Sequence, residues 1–151
     1  MCFCQQKVKH TGKVIGIDMT DEILEKASDH AKQNGYTNVE FKKGDIEKGI
    51  PLNYNIADLV ISNCVINLTI DKIAAFKEIY RILKPNGGRM VISDLVTSKE
   101  VDPKSASSDK WCSCIDGALT KEHYLDSRVS LFFSNHNDFD KCGIYNSLCY
   151  R

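Results

Sequence analysis

A charge of one sign, long apolar runs and internal repeats are all missing from this sequence. Twenty Lys and Arg are cancelled by twenty Asp and Glu, which leaves no electrostatic footprint for nucleic acid or an anionic membrane surface. No stretch approaches the roughly 20 apolar residues of a membrane span. Met1-Cys2-Phe3-Cys4-Gln5-Gln6 has no basic region followed by an apolar run, so no secretory leader is expected. These absences predict a cytoplasmic protein with a small-molecule partner, no nucleic acid and no membrane. Metal-ligand spacing is missing too. His10, His30, His123 and His136 have no paired acid or cysteine at recognisable metal-ligand spacing and read as surface residues. The two Cys-x-Cys pairs, Cys2/Cys4 and Cys112/Cys114, stand too far apart for a zinc knuckle or ribbon.

What is present is the composition of a soluble globular domain, 42% hydrophobic and 26% charged over 151 residues, enough for one real core. Seven cysteines are an odd and high count. In a reducing compartment such thiols serve more often as ligands or nucleophiles than as bridges.

Lys13-Val14-Ile15-Gly16-Ile17-Asp18 is a short apolar run ending in an acid and predicts a buried parallel strand. Thr20 is expected to cap a helix whose first turn carries Asp21 and Glu22, both favourable at the positive end of the helix dipole. Ile23, Leu24, Ala27 and Ala31 recur at helical spacing, and Asn34-Gly35 supplies a left-handed stop. Val39-Glu40-Phe41 predicts a second strand and residues 57–63 a third, apolar in its middle. A second helix is expected over 71–83 with Ile73, Phe76, Tyr80 and Leu83 on one face, ended by Lys84-Pro85-Asn86-Gly87-Gly88. Residues 89–94 predict a fourth strand, and the alternation implies βαβ units in a mostly parallel sheet covered on both faces. Residues 97–108 turn polar and read as an exposed loop. A last helix is expected to begin at Thr120 and include Tyr124 and Leu125, beyond which the pattern loses its period.

Ligands of open α/β sheets sit outside the carboxyl ends of the strands, which singles out Asp18, Asp45, Asn63 and Asp94. A carboxylate there can accept from both hydroxyls of a ribose. Asp18 fits that role, and equally fits a plain cap on the helix that follows. Asp45 suits an adenine amino group or the closing of a turn. Cys64, at an apolar strand end, reads as a ligand or as a small buried hydrophobe, and Trp111 as a packing anchor.

Five blocks carry a sharper signal. Residues 12–22 (Gly-Lys-Val-Ile-Gly-Ile-Asp-Met-Thr-Asp-Glu), 35–47 (Gly-Tyr-Thr-Asn-Val-Glu-Phe-Lys-Lys-Gly-Asp-Ile-Glu), 62–68 (Ser-Asn-Cys-Val-Ile-Asn-Leu), 83–89 (Leu-Lys-Pro-Asn-Gly-Gly-Arg) and 111–120 (Trp-Cys-Ser-Cys-Ile-Asp-Gly-Ala-Leu-Thr) resemble, in this order, blocks of the arsenite methyltransferases. The strand and Lys-Pro-Asn-Gly-Gly blocks are shared by many class I S-adenosylmethionine-dependent methyltransferases. The Asn-Cys-Val-Ile-Asn-Leu and Trp-Cys-Ser-Cys blocks carry the arsenic reading.

The resemblance implies an α/β fold, a partial Rossmann-like class I sheet, with S-adenosyl-L-methionine as cofactor and arsenite or its thiol adduct as substrate. It implies that Asp18 and Met19 contact ribose and adenine, that Asp45 and Ile46 flank the adenine, and that Asn63, Cys64 and Val65 line the methionine end. Trivalent arsenic is soft and favours thiolates over oxygen ligands. The resemblance implies a set of cysteine thiolates holding it, with Cys114 the best match, Cys112 two residues away, Cys64 at the strand end, and Cys2 from a Cys-Phe pair near the start. Two other readings stand beside this one: methylation of a small organic substrate such as a quinone precursor, and a non-catalytic product that only binds thiophilic ions. Nothing in the sequence fixes an oligomeric state.

The family pattern opens with a strand and a glycine-rich turn that have no counterpart before Gly12. Residues 1–97 are therefore expected to form an incomplete cofactor-binding domain, and 98–125 the start of a substrate-binding segment. Residues 126–151 do not follow the family. A chain incomplete at both ends is the expectation, and activity of the chain by itself is not implied.

Overall fold

The computed structural model describes residue 8 and residues 12–99, 118–124 and 126. Two compact units divide the chain, Met1–Pro51 and Leu52–Arg151.

In the first unit, β1 (Val14–Asp18), α1 (Asp21–Gln33) and β2 (Val39–Lys43) follow in the predicted order. β1 and β2 pair in parallel, Val14 opposite Val39 and Asp18 opposite Lys43, as a helix crossover between two strands requires. Thr20 holds the N-cap position of α1, but its hydroxyl makes no capping bond. Its N–H instead donates to Asp18 Oδ1 at 2.9 Å, so the acid at the strand end organises the entry to the helix. The exit follows the expectation. Gly35 takes φ +66, its N–H donates to Lys32 O at 3.1 Å, and the Tyr36 N–H donates to Ala31 O at 2.9 Å. This paired closure satisfies two last-turn carbonyls and needs a residue without a Cβ penalty in the left-handed region. The apolar stripe expected on α1 is only partly covered: Ala31 is buried, whereas Ile23 is 51% exposed.

The second unit carries β3 (Leu59–Asn63), a single 3₁₀ turn at Ile66–Leu68, α2 (Lys72–Ile82) and β4 (Arg89–Ser93). β3 and β4 pair in parallel, Leu59 opposite Arg89 and Asn63 opposite Ser93. Among the described residues, β1 takes β2 as its ladder partner and β3 takes β4. Asp71 caps α2 by accepting from the Ala74 N–H at 2.9 Å, which satisfies one of the helix's unpaired donors. The buried face of α2 comprises Lys72, Ala75, Phe76, Ile79 and Ile82, spaced at three and four residues. Ile73 and Tyr80, expected on the same face as Phe76, are 40% and 49% exposed. They lie on a second apolar stripe of the same period, rotated from the first. The turn after α2 closes with the Gly88 N–H on Lys84 O at 3.2 Å. A Cβ at Gly88 would fall 2.5 Å from that same carbonyl oxygen, so the tight return into β4 depends on glycine.

Ile66, Ala75, Phe76, Ile79, Ile82, Leu83, Met90 and Ala118 form the buried core of this unit. β3 alternates in exposure along its length. Leu59 and Ile61 share one face at 49% and 54% exposure, because side chains two apart point the same way. The third strand was expected to be covered on both faces, and this face is not. Residues 121–124 and 126 are helical after Thr120, as predicted, while Leu125 lies outside the described residues. No helix among the described residues is long and apolar enough to cross a membrane.

Candidate functional site

Parallel pairing aligns the carboxyl ends of β1 and β2, and the Gly44 N–H donating to Asp18 O at 2.9 Å brings the following loops to one edge. Asp18, Met19, Asp45 and Ile46 therefore share that edge of the first unit. Asp18 is half-buried with Oδ1 engaged by Thr20. Met19 is 65% exposed. Asp45 accepts from the Glu47 N–H at 2.9 Å and meets the Lys48 ammonium at 3.0 Å. The Glu47 N–H, and after it Lys48, hold its carboxyl below the usual carboxylate range. Asp45 thus closes a turn, one of the two roles the sequence leaves open. Ile46 is half-buried beside it.

In the second unit, Asn63 ends β3 and is exposed, Cys64 is half-buried, and Val65 is 44% exposed. Cys64 lies in the left-handed region at φ +54, unusual for a residue with a Cβ. Its Sγ stands 4.0 Å from Asn63 Oδ1. Cys2, Cys112, Cys114, Trp111, His10 and His136 lie outside the described residues. Among the described residues no group of three or more His, Cys, Asp and Glu could hold a metal ion, and His30 and His123 are exposed.

A polar cluster surrounds the turn after β3. The Cys64 N–H donates to Ser93 O at 2.8 Å, and Asn67 Nδ2 donates to Leu95 O at 2.7 Å. Lys72, 9% exposed, donates from Nζ to the carbonyls of Asn67 at 3.3 Å and Thr69 at 3.0 Å. Between Ser93 and Leu95, Asp94 accepts from the Tyr124 hydroxyl at 2.6 Å. Of these residues only Asp94 stands out in the sequence, as a strand-end acid. Asn67 lies inside the Asn-Cys-Val-Ile-Asn-Leu block without a periodic signal, and Lys72 and Tyr124 are legible only as helix residues, with no sign of a polar role.

Burial pushes the Asp94 carboxyl above the usual carboxylate range, while the Tyr124 hydroxyl, the N–H groups of Cys64 and Asn67 and the Lys72 ammonium pull the other way. The folded chain therefore holds this proton more tightly than the unfolded one. Stability from the neutral form is fully present below the ordinary value of 3.8 and is lost as pH rises through the raised folded value. Asp94→Asn is expected to raise the thermal midpoint at neutral pH and to match the parent at about pH 3, which melting curves across pH will read.

A family model described as a methyltransferase domain matches residues 2–130. The chain is 41% identical over 121 residues to an arsenite methyltransferase of Halobacterium salinarum, covering 79% of this chain and 30% of that protein. It is 36% identical over 86 residues to a demethylmenaquinone methyltransferase of Lactococcus lactis, covering 57% and 33% respectively. The crystal structure of an arsenic(III) S-adenosylmethionine methyltransferase from Chlamydomonas reinhardtii superposes with a TM-score of 0.76 at 34% identity, covering 87% of this chain and 47% of that one. The chain spans about a third of the length of the curated relatives it matches. The resemblance carried by the five sequence blocks, and the α/β class it implies, are both borne out.

Proposed function

The chain belongs to the methyltransferase-domain family, and from that premise we propose that it takes part in methyl transfer from S-adenosylmethionine to trivalent arsenic. The identity to an arsenite methyltransferase, 41% over 121 residues, carries this reading. The first unit fits the cofactor by its chemistry. Carboxylates at the shared edge of β1 and β2 suit ribose hydroxyls and an adenine amino group, and exposed Met19 offers an apolar surface to the heterocycle. When bound, S-adenosylmethionine supplies a methyl group on a sulfonium. Asp18 and Met19 orient it, Asp45 and Ile46 flank the adenine, and Asn63, Cys64 and Val65 line the methionine end. Cys114, Cys112, Cys64 and, from the start of the chain, Cys2 supply thiolates to arsenite, whose soft arsenic selects them over oxygen ligands. The side chains' task is thiolate supply and positioning, the larger part of what a site without a general base can contribute. Residues 1–97 act as the cofactor-binding part and 98–125 as the start of the substrate-binding part.

A second reading keeps the enzyme class and changes the substrate to a quinone precursor. The identity to a demethylmenaquinone methyltransferase favours it, but that match covers less of this chain.

Titration calorimetry with S-adenosylmethionine and with arsenite, run separately, tests both. Asp18→Ala is expected to weaken S-adenosylmethionine by about tenfold or more, the worth of a charge-assisted hydrogen bond. Arsenite is expected to bind the parent at least about tenfold more tightly than Cys114→Ser. Equal arsenite affinity in parent and variant would leave only the organic-substrate reading.

A further inference from the structure

We infer that Asp94 is a positioning residue for the Cys64 thiol, acting through the backbone of the turn that follows β3. The inference rests on the reading of Cys64 as an arsenic ligand.

A left-handed conformation is disfavoured for a residue with a Cβ, so Cys64 at φ +54 must be held there by its surroundings. The holding contacts come from the end of β4 and the residues just after it. Ser93 O takes the Cys64 N–H at 2.8 Å and Leu95 O takes Asn67 Nδ2 at 2.7 Å, on either side of Asp94. The orientation of Asp94 is fixed by the Tyr124 hydroxyl at 2.6 Å, and Tyr124 in turn packs edge-to-face on Phe76 with ring centroids 6.0 Å apart. A chain of contacts thus runs from the α2 core through Tyr124 and Asp94 to the turn that carries the thiol.

Among the described residues, the buried Oδ1 atoms of Asp94 and Asn67 have no hydrogen-bond partner, so two acceptors stand beside the left-handed cysteine where local stability alone does not favour them.

Peptide-resolved alkylation of the full chain with iodoacetamide, read by mass spectrometry, tests the inference alongside arsenite calorimetry. In Asp94→Ala the turn is released, and the Cys64 alkylation rate is expected to rise about fivefold, the equivalent of 1 kcal/mol of lost conformational bias. The other cysteines keep their rates, which general loosening of the fold would not allow. Asp94→Asn retains an acceptor for Tyr124 and is expected to restore both the parent rate and the arsenite affinity. Tyr124→Phe keeps the ring on Phe76, removes the hydroxyl, and should move Cys64 in the same direction by a smaller factor. It carries the test if Asp94→Ala does not fold. An unchanged Cys64 rate in folded Asp94→Ala, or equal changes in the Ala and Asn variants, overturns the inference. Absence of arsenite binding in the parent, with the Cys64 pattern as expected, counts against the arsenic reading instead.

Discussion

Phe76→Ala is expected to cost about 3–5 kcal/mol of folding free energy, the range for deleting a buried aromatic ring. Phe76 is 3% exposed at the centre of the inner face of α2. Truncation removes its apolar area from the core and leaves a cavity that a helix fixed at both ends cannot collapse to fill. It also removes the edge-to-face partner of Tyr124, at an interplanar angle of 86°, an arrangement worth about 0.5–1.5 kcal/mol beyond burial. Against a typical domain stability of about 5–15 kcal/mol this is a large fraction. Urea denaturation of parent and variant reads it. A loss under about 1 kcal/mol would mean that the ring is not part of the core.

Ile66→Ala is expected to lose about 2–5 kcal/mol, and Ile66→Val only about 0.5–1.5. Ile66 is 0% exposed and opens the 3₁₀ turn two residues after Cys64. It is the apolar plug that ties the turn to the core, as the Cys64 and Asn67 bonds tie it to the end of β4 and the residues just after it. Its loss therefore acts on both the fold and the thiol. Chemical denaturation gives the stability change, and hydrogen exchange at 64–69 is expected to accelerate more in Ile66→Ala than in Ile66→Val. Equal exchange in the two variants would show that the turn does not depend on this side chain.

Much of the fold is legible in the residues because local signals agree there. Val, Ile and a terminal acid make β1, Asn34-Gly35 stops α1, and the Pro-Asn-Gly-Gly run ends α2 where expected. The packed face of α2 was legible only in part: Phe76 and Leu83 are buried, but Ile73 and Tyr80, grouped with them by period, are exposed, and Ala75, Ile79 and Ile82 take their place because packing rather than period decides the rotation. The edge formed by Asp18, Met19, Asp45 and Ile46 was legible, since strand-end acids in a parallel sheet must come together. The cluster of Asn67, Lys72, Asp94 and Tyr124 was not. Its members are joined by side-chain bonds across up to 30 residues of sequence, and hydrogen bonding between distant polar groups leaves no periodic trace.

Cys64 at φ +54 occupies a backbone position that glycine or asparagine would fill with less strain. A variant library sorted only for heat tolerance is therefore expected to drift away from cysteine at this one position. On the proposed reading of Cys64 as an arsenic ligand, robustness and chemistry make opposite demands on the same α-carbon.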